Sequence, residues 1–528
     1  MLFNKVVFFL KAIYSLYKFD RINNWLLQKL KSLKYDSKDS SGIILTQLVR
    51  DYNYILKIGF ASNILAKKHN LSVRCYDVEI NYKPNSVFTI LNNIIGFFIK
   101  NKYKKICYPS FGEPIFSVNN SFKDKNFIRE ELNKIVTSLD KNKPQQINNI
   151  KFQDTLVGDL IYDSYLRFFN KPTIKEIDTN VIKTIEIALN IYYNFKSFLK
   201  SNNVKILLNT YTTYLNHGIL ARICLDNNIP TYTLGANNYV TQLLSSDFPF
   251  HGINHSLFST KKNISKKQLD IARDIFQTRF EGKIDGATSY MRKSAYFKGN
   301  IDEKLKNIFN NGKRNIVVYT HDFFDSPHIN RKLYFPDLFL FLKEVLENLT
   351  DVINTNVFIK THPNGINNNK QITIDLVNSF KAPNFHIIDE SVSNLNIVEL
   401  KPDLVCTARG TIGVEMAYFG IPVVAIYDNI YVNFKFVDSC LTKERYFSII
   451  KGDEDPIIDF DKNMIYSFYY QAYIEKANIK GKNIFTNSKL FHGDSNSKEY
   501  LEFLKLNNYE FFKNESLKVF SDFINEKI

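Results

Sequence analysis

Apolar and polar positions change rhythm along this chain. Short apolar runs alternate with longer stretches in which apolar residues recur every three or four positions, and these rhythms predict buried strands and amphipathic helices respectively. "GIILTQLV" (Gly42–Val49) predicts a strand, the following stretch a helix ending at Asn70, and "LSVRCYDV" a second strand. Residues 119–149 are polar and read as helix or loop, and a helix-like stretch follows in "VGDLIYDSYLRFF". "VKILLNT", "YTTYLNHGILARICLDN" and "NIPTYTLG" then form a strand, a turn with a helix, and a strand, a spacing that suits a parallel crossover and not a hairpin. The second half repeats this grammar through "NIVVYT", "FPDLFLFLKEVLENL", "TNVFIKTHPNG", "NFHIID", "SVSNLNIVELK" and "CTARGTIGVEMAYFGIPVVAIYDN".

The alternation predicts an α/β protein with two doubly wound, Rossmann-like domains. With 528 residues the chain exceeds what one core organises, which agrees with two domains plus appendages. The boundaries drawn from composition are a basic N-terminal segment 1–38, a first domain 39–270, a polar join 271–312, a second domain 313–465 and a helical tail 466–528. No solenoid repeat is present.

Within the N-terminal segment, residues 1–35 carry seven Lys or Arg against one acid, Asp20, among Phe, Leu, Ile and the single tryptophan, Trp25. Lys11, Lys18 and Arg21 break its apolar run, so it is too short for a membrane span, and no small-residue cleavage site follows. It predicts an amphipathic helix that either lies on an anionic membrane surface or packs onto its own domain. The formal charge of +16 is spread through a Lys-rich chain and does not by itself indicate nucleic acid. Five scattered cysteines without Cys-x-x-Cys spacing argue against disulfides and zinc and fit a reducing cytoplasm.

Open parallel sheets bind ligands beyond the carboxyl ends of their strands, so candidate chemistry is sought there. After "DLVCT", the residues Arg409-Gly410-Thr411 turn into a helix. Its first amides, the Thr411 hydroxyl and the Arg409 charge form a candidate anion site together with Thr407. Glu415, one turn on, is suited to a ribose diol. The same residues also read as a plain tight turn with a capping threonine. "IKTHPN" places His362 and Pro363 directly after a strand, where the imidazole can meet a phosphate oxygen. "THDFFDSPH" brings His321, Asp325 and His328 beyond another strand end, and its Asp-Ser-Pro serves equally as a turn.

Together, "HDFFDSPH", "KTHPN" and the spaced pattern from Asp403 to Val423 resemble the nucleotide-binding half of bacterial capsule and surface-polysaccharide glycosyltransferases of the GT-B fold. These include Kdo-type capsule transferases and, more distantly, polysialyltransferases and CDP-glycerol glycerophosphotransferases. The resemblance covers 315–429 well and part of the first domain loosely. It implies two domains facing a cleft, donor-phosphate contacts from His362, Pro363, Gly410 and Thr411, and a ribose contact from Glu415. It also implies a CMP-, CDP- or UDP-linked nucleotide-sugar donor, a saccharide or lipid-linked acceptor, and no metal or other cofactor. The implied setting is the cytoplasm, peripheral to the inner face of the cytoplasmic membrane, with no nucleic-acid partner. Asp159 and Asp163 are candidate bases for the acceptor hydroxyl, His321 and Asp325 are further catalytic candidates, and Asn216 and His217 line the cleft. Three alternatives stay open: a sugar-nucleotide 2-epimerase, a CDP-linked phosphotransferase, and a non-catalytic scaffold.

Overall fold

Two six-stranded sheets carry the architecture of the computed structural model, each with the strand order of a doubly wound domain. The structure describes residues 35, 39–48, 52–80, 82, 111–234, 241–252, 254–283, 294–297, 301–329, 333–362, 365–366 and 368–475. The expected N-terminal amphipathic helix and the tail beyond Glu475 lie outside the described residues.

The first sheet contains β1 (Ile43–Leu48), β2 (Ser72–Asp77) and β3 (Pro114–Ser117). After a two-stranded hairpin of β4 (Lys151–Phe152) and β5 (Thr155–Leu156), it continues with β6 (Val204–Asn209), β7 (Thr231–Leu234) and β8 (Thr241–Leu243). Its order is β3-β2-β1-β6-β7-β8, parallel except for β8. The second sheet contains β9 (Arg314–Tyr319), β10 (Thr355–Lys360), β11 (Phe385–Ile388), β12 (Leu404–Cys406), β13 (Val423–Ile426) and β14 (Asp438–Cys440). Its order is β11-β10-β9-β12-β13-β14, parallel throughout. In both sheets the connections diverge between two central strands, β1 and β6 in the first and β9 and β12 in the second.

Why these runs become strands is visible in the second sheet. Along β9, Val317 and Tyr319 enter one core while Ile316 and Val318 enter the core on the opposite face. Both faces are covered, so the strand is apolar without alternation, as parallel sheets require. Each such buried side chain contributes about 1.5–3 kcal/mol relative to exposure. The covering helices begin where the sequence supplies caps: Asp337 accepts from Leu340 N at 2.8 Å to open Leu338–Leu349, and Ser393 accepts from Leu395 N to open Asn394–Leu400.

Two expected boundaries are corrected by packing. The helix Lys266–Phe280 straddles the anticipated join, yet its Ala272 and Phe276 lie in the second core together with Phe258. Residues 466–475, assigned to the tail, continue the helix Lys462–Tyr469 and bury Phe468, Tyr469 and Ala472 in that core. The chain crosses between domains after His251, which bonds to Thr212, and before His255, whose carbonyl accepts from Asn433. No described helix is long and apolar enough to cross a membrane.

Candidate functional site

The carboxyl ends of β9, β10 and β12 open onto a cavity of about 160 Å³. The end of β9 brings Tyr319 and His321, the end of β10 brings Lys360, Thr361 and His362, and the turn after β12 brings Thr407, Gly410 and Thr411. Glu415 lies on the next helix, Ile412–Tyr418. The cavity therefore occupies the switch point of the second sheet, where ligands of open α/β sheets bind.

His321 holds the turn after β12 in place. Its Nε2 accepts from the amide of Ala408 at 3.2 Å and faces the Thr407 hydroxyl at 3.1 Å, while Thr407 Oγ1 accepts from Gly410 N at 3.3 Å. An Nε2 that accepts from an amide leaves the proton on Nδ1. Burial, reinforced by His362 and Arg409, pulls the His321 pKa down to about 3, so the ring is neutral, and because its Nε2 lone pair already accepts from the Ala408 amide it offers a hydrogen-bond donor and no free basic nitrogen. The expectation of His321 as a catalytic acid or base is corrected to a positioning and binding role. Asn369, which bonds both the carbonyl of His321 and the amide of Phe323, fixes this loop from below.

Other candidates are placed differently from the expectation. Arg409 does not reach into the cavity as a phosphate clamp; its guanidinium is buried and donates to the Pro327 carbonyl. Glu415 lines the cavity, but its carboxylate already accepts from Arg279 Nη1 and Tyr296 Oη, both at 2.6 Å. Its remaining lone pairs are what a ribose would meet. Gly410 has ordinary surroundings for an added Cβ, with the nearest atoms at 3.4 Å, so the fold itself does not demand glycine there. His362 lines the cavity with its pKa lowered by burial. Pro363 lies outside the described residues.

The first-domain aspartates are structural. Asp159 is 7% exposed and receives both Nη atoms of Arg222 at 2.5 Å. Asp163, 2% exposed, accepts from His328 Nδ1 at 2.6 Å and from the His328 amide at 3.3 Å, which ties the two domains together. Tyr162 reinforces this seam by donating to Asp337 at 2.7 Å. Neither carboxylate is open to an acceptor, because each is already bonded inside the fold, Asp159 to the buried Arg222 guanidinium and Asp163 to His328. Asp325 is exposed at the seam and accepts from Tyr214 Oη at 3.4 Å.

Tyr214 opens a wide single turn, Tyr214–Gly218, at the carboxyl end of β6, and its backbone is left-handed with φ of 60°. Such turns are frequent at functional sites. Asn216 and His217 sit on it, and Asn216 Oδ1 and His217 Nδ1 are buried without a hydrogen-bond partner among the described residues. Burial, with His251 nearby, draws the His217 pKa down to about 3, so the imidazole is neutral. The first sheet's switch point thus presents His217, and Tyr214 meets the loop that carries His321.

Sequence reading missed Lys360, Thr361, Arg279, Tyr296 and Asn394, all of which line the cavity. Lys360 and Thr361 had a signal, being polar residues closing an apolar strand directly before His362. Arg279 had none, because a helix remote in sequence supplies it.

No protein-family model matches the chain, and no curated protein sequence matches it. Among solved structures it is similar to the KpsC beta Kdo 2,4 transferase of Thermosulfurimonas dismutans, with 11% identity, covering 55% of this chain and 88% of that one, at a TM-score of 0.34. It is also similar to a UDP-GlcNAc 2-epimerase of Methanocaldococcus jannaschii (11% identity, 80% and 97% covered, TM-score 0.24). The wall teichoic acid polymerase TagF is a further likeness, at 11% identity, 75% and 99% covered, and a TM-score of 0.15. Kdo transferases are among the families that the motifs resemble. At these scores none of the likenesses bears on activity, which is argued from the site's own chemistry.

Proposed function

We propose that this chain is a GT-B glycosyltransferase that moves a sugar from a nucleotide-sugar donor onto a growing surface polysaccharide. The observation that carries the reading is the cavity at the second sheet's switch point, where Lys360, His321, His362 and Thr411 gather beside Glu415. Donors of positive charge and hydrogen bonds suit phosphate, and a carboxylate beside them suits a ribose. In this reading the first sheet's switch point, whose Tyr214 touches Asp325 on the loop that carries His321, supplies the facing wall.

In this reading the donor's phosphate lies against His321, His362 and Thr411, and its ribose against Glu415. His217 accepts the proton of the acceptor hydroxyl as the oxygen attacks the anomeric carbon. The bond from that carbon to the phosphate oxygen breaks, and the phosphate leaves with the electron pair. The Thr411 hydroxyl and the Nδ1–H of His321 stabilise the charge that develops there. Burial keeps His217 in the neutral form that can take a proton, and negative charge growing across the cleft favours its imidazolium. The basic segment 1–38 would hold the enzyme at the anionic inner surface of the cytoplasmic membrane, near a lipid-linked acceptor.

Purified protein incubated with CMP-, CDP- and UDP-linked sugars and acceptor saccharides is the test, with products read by mass spectrometry and NMR. His217→Gln is expected to lower turnover about 10²- to 10⁴-fold while leaving nucleotide affinity unchanged. If Asp325→Asn has that effect and His217→Gln does not, the base is Asp325. An epimerised sugar or a phosphodiester product would replace the transferase reading altogether.

A further inference from the structure

The end of β10 holds a feature that the donor-phosphate contacts do not use. Thr361 lines the cavity, is 1% exposed, and its hydroxyl is buried with no hydrogen-bond partner among the described residues. A buried hydroxyl left unpaired is unfavourable, and a site built that way is explained by a ligand atom that completes it. Its neighbour Lys360 is 4% exposed, and its ammonium bonds only to backbone carbonyls, Val392 O at 2.6 Å and Asp389 O at 3.4 Å. An ammonium has three donors, and among the described residues no carboxylate oxygen lies within ion-pair distance of this one. The nearest acids, Asp389 and Glu390, are paired with Lys370.

Side chains alternate along a strand, yet Lys360, Thr361 and His362 all border the cavity because the strand ends at Lys360 and the chain turns there. The turn after β12 lies on the other side of His321, across β9. The cavity thus has two groups of anion-binding atoms, one after β12 and one after β10.

We propose that Lys360 and Thr361 form a second anion subsite, which takes a negatively charged oxygen group of the donor beyond the phosphate held at the 407–411 turn. This rests on the transferase reading and narrows its substrate class to donors carrying two anionic groups. The second group is either the outer phosphate of a nucleoside diphosphate or the carboxylate of a sugar acid on a nucleoside monophosphate. Both present the same chemistry to an ammonium and a hydroxyl.

Calorimetric titration of the full chain with CMP, UMP, CDP, UDP, CMP-N-acetylneuraminate and inorganic pyrophosphate distinguishes the sources. The variants are Thr361→Val and Lys360→Met, each checked by thermal melting. Thr361→Val removes a hydroxyl without a partner and keeps the side chain's shape, so it is expected to melt no lower than wild type. Both variants are expected to weaken either the diphosphates or the sugar-acid nucleotide about 10-fold or more, with CMP and UMP changed less than about 2-fold. Loss confined to CDP and UDP identifies an outer phosphate, and loss confined to CMP-N-acetylneuraminate identifies a carboxylate. Equal weakening of all ligands, or none, overturns the subsite. Pyrophosphate separates the two claims: if it binds and the variants lose it while no nucleotide binds, the subsite stands and the nucleotide reading falls. If wild type binds neither, the subsite is wrong.

Discussion

Asp159→Asn separates a structural carboxylate from a catalytic one. Asp159 and Arg222 are 7% and 5% exposed, and two bonds of 2.5 Å join them. Arg222 also donates to Leu156 O at 2.6 Å and stacks over Phe250 at 5.7 Å, so the guanidinium cannot swing out to water without losing both contacts. Neutralising the carboxylate strands a buried cation, which costs about 3–5 kcal/mol. At about 2–4 °C per kcal/mol for a domain of this size, the melting temperature should fall by roughly 6–20 °C. Differential scanning calorimetry of the full chain reads this directly, and nucleotide affinity, which the proposed function assigns to the other domain, should stay within about 2-fold of wild type. Adding Arg222→Met removes the stranded charge and should recover most of the loss. If Asp159→Asn melts within about 1 °C of wild type yet abolishes transfer, the ion-pair argument is wrong and Asp159 is the base.

Two further outcomes follow from the cavity walls. A Cβ at Gly413 would stand 2.3 Å from Tyr431 Oη, the hydroxyl that donates to Gly410 O at 3.0 Å. Gly413→Ala should therefore cost about 1–3 kcal/mol in overpacking and loosen the 407–411 turn, whereas Gly410→Ala should melt like wild type and lose only nucleotide binding. Equal melting losses in both would refute this. Burial lowers the Lys360 pKa to about 8, below its unfolded value, so the unfolded chain holds that proton more tightly. The resulting destabilisation is fully present below pH 8 and fades as pH rises toward about 10.4, the unfolded value. Lys360→Met should thus melt higher than wild type at pH 7, with the gap closing between pH 8 and 10; a gap that widens with pH would contradict it.

The central strands of both sheets were legible because they are apolar on two faces, and some covering helices announce their caps, as Asp337 and Ser393 do; the short edge strands β3, β8 and β14 carry no such run and were not read. Part of the cavity's lining was legible for the same reason: His321, His362, Thr407 and Thr411 sit within two residues of a strand end or in its turn. Roles were less legible than places. Arg409 and Glu415 follow the right strand, but their bonding is decided by Pro327, Arg279 and Tyr296, which are distant in sequence. Asp159 and Asp163 look alike on one helix, and only the fold shows Arg222 and His328 bonded to them. The domain join was misplaced because the helix Lys266–Phe280 is polar on one side, while the apolar side that enters the second core is short.

The central claim is that the cavity beside β9, β10 and β12 holds a nucleotide by its phosphate. A crystal structure of the chain with a bound nucleoside diphosphate tests it most directly. The account predicts phosphate oxygens within hydrogen-bond distance of His362 and Thr411, with the ribose against Glu415. A nucleotide bound elsewhere, or one lying in the cavity with its phosphates turned away from these residues, would contradict it.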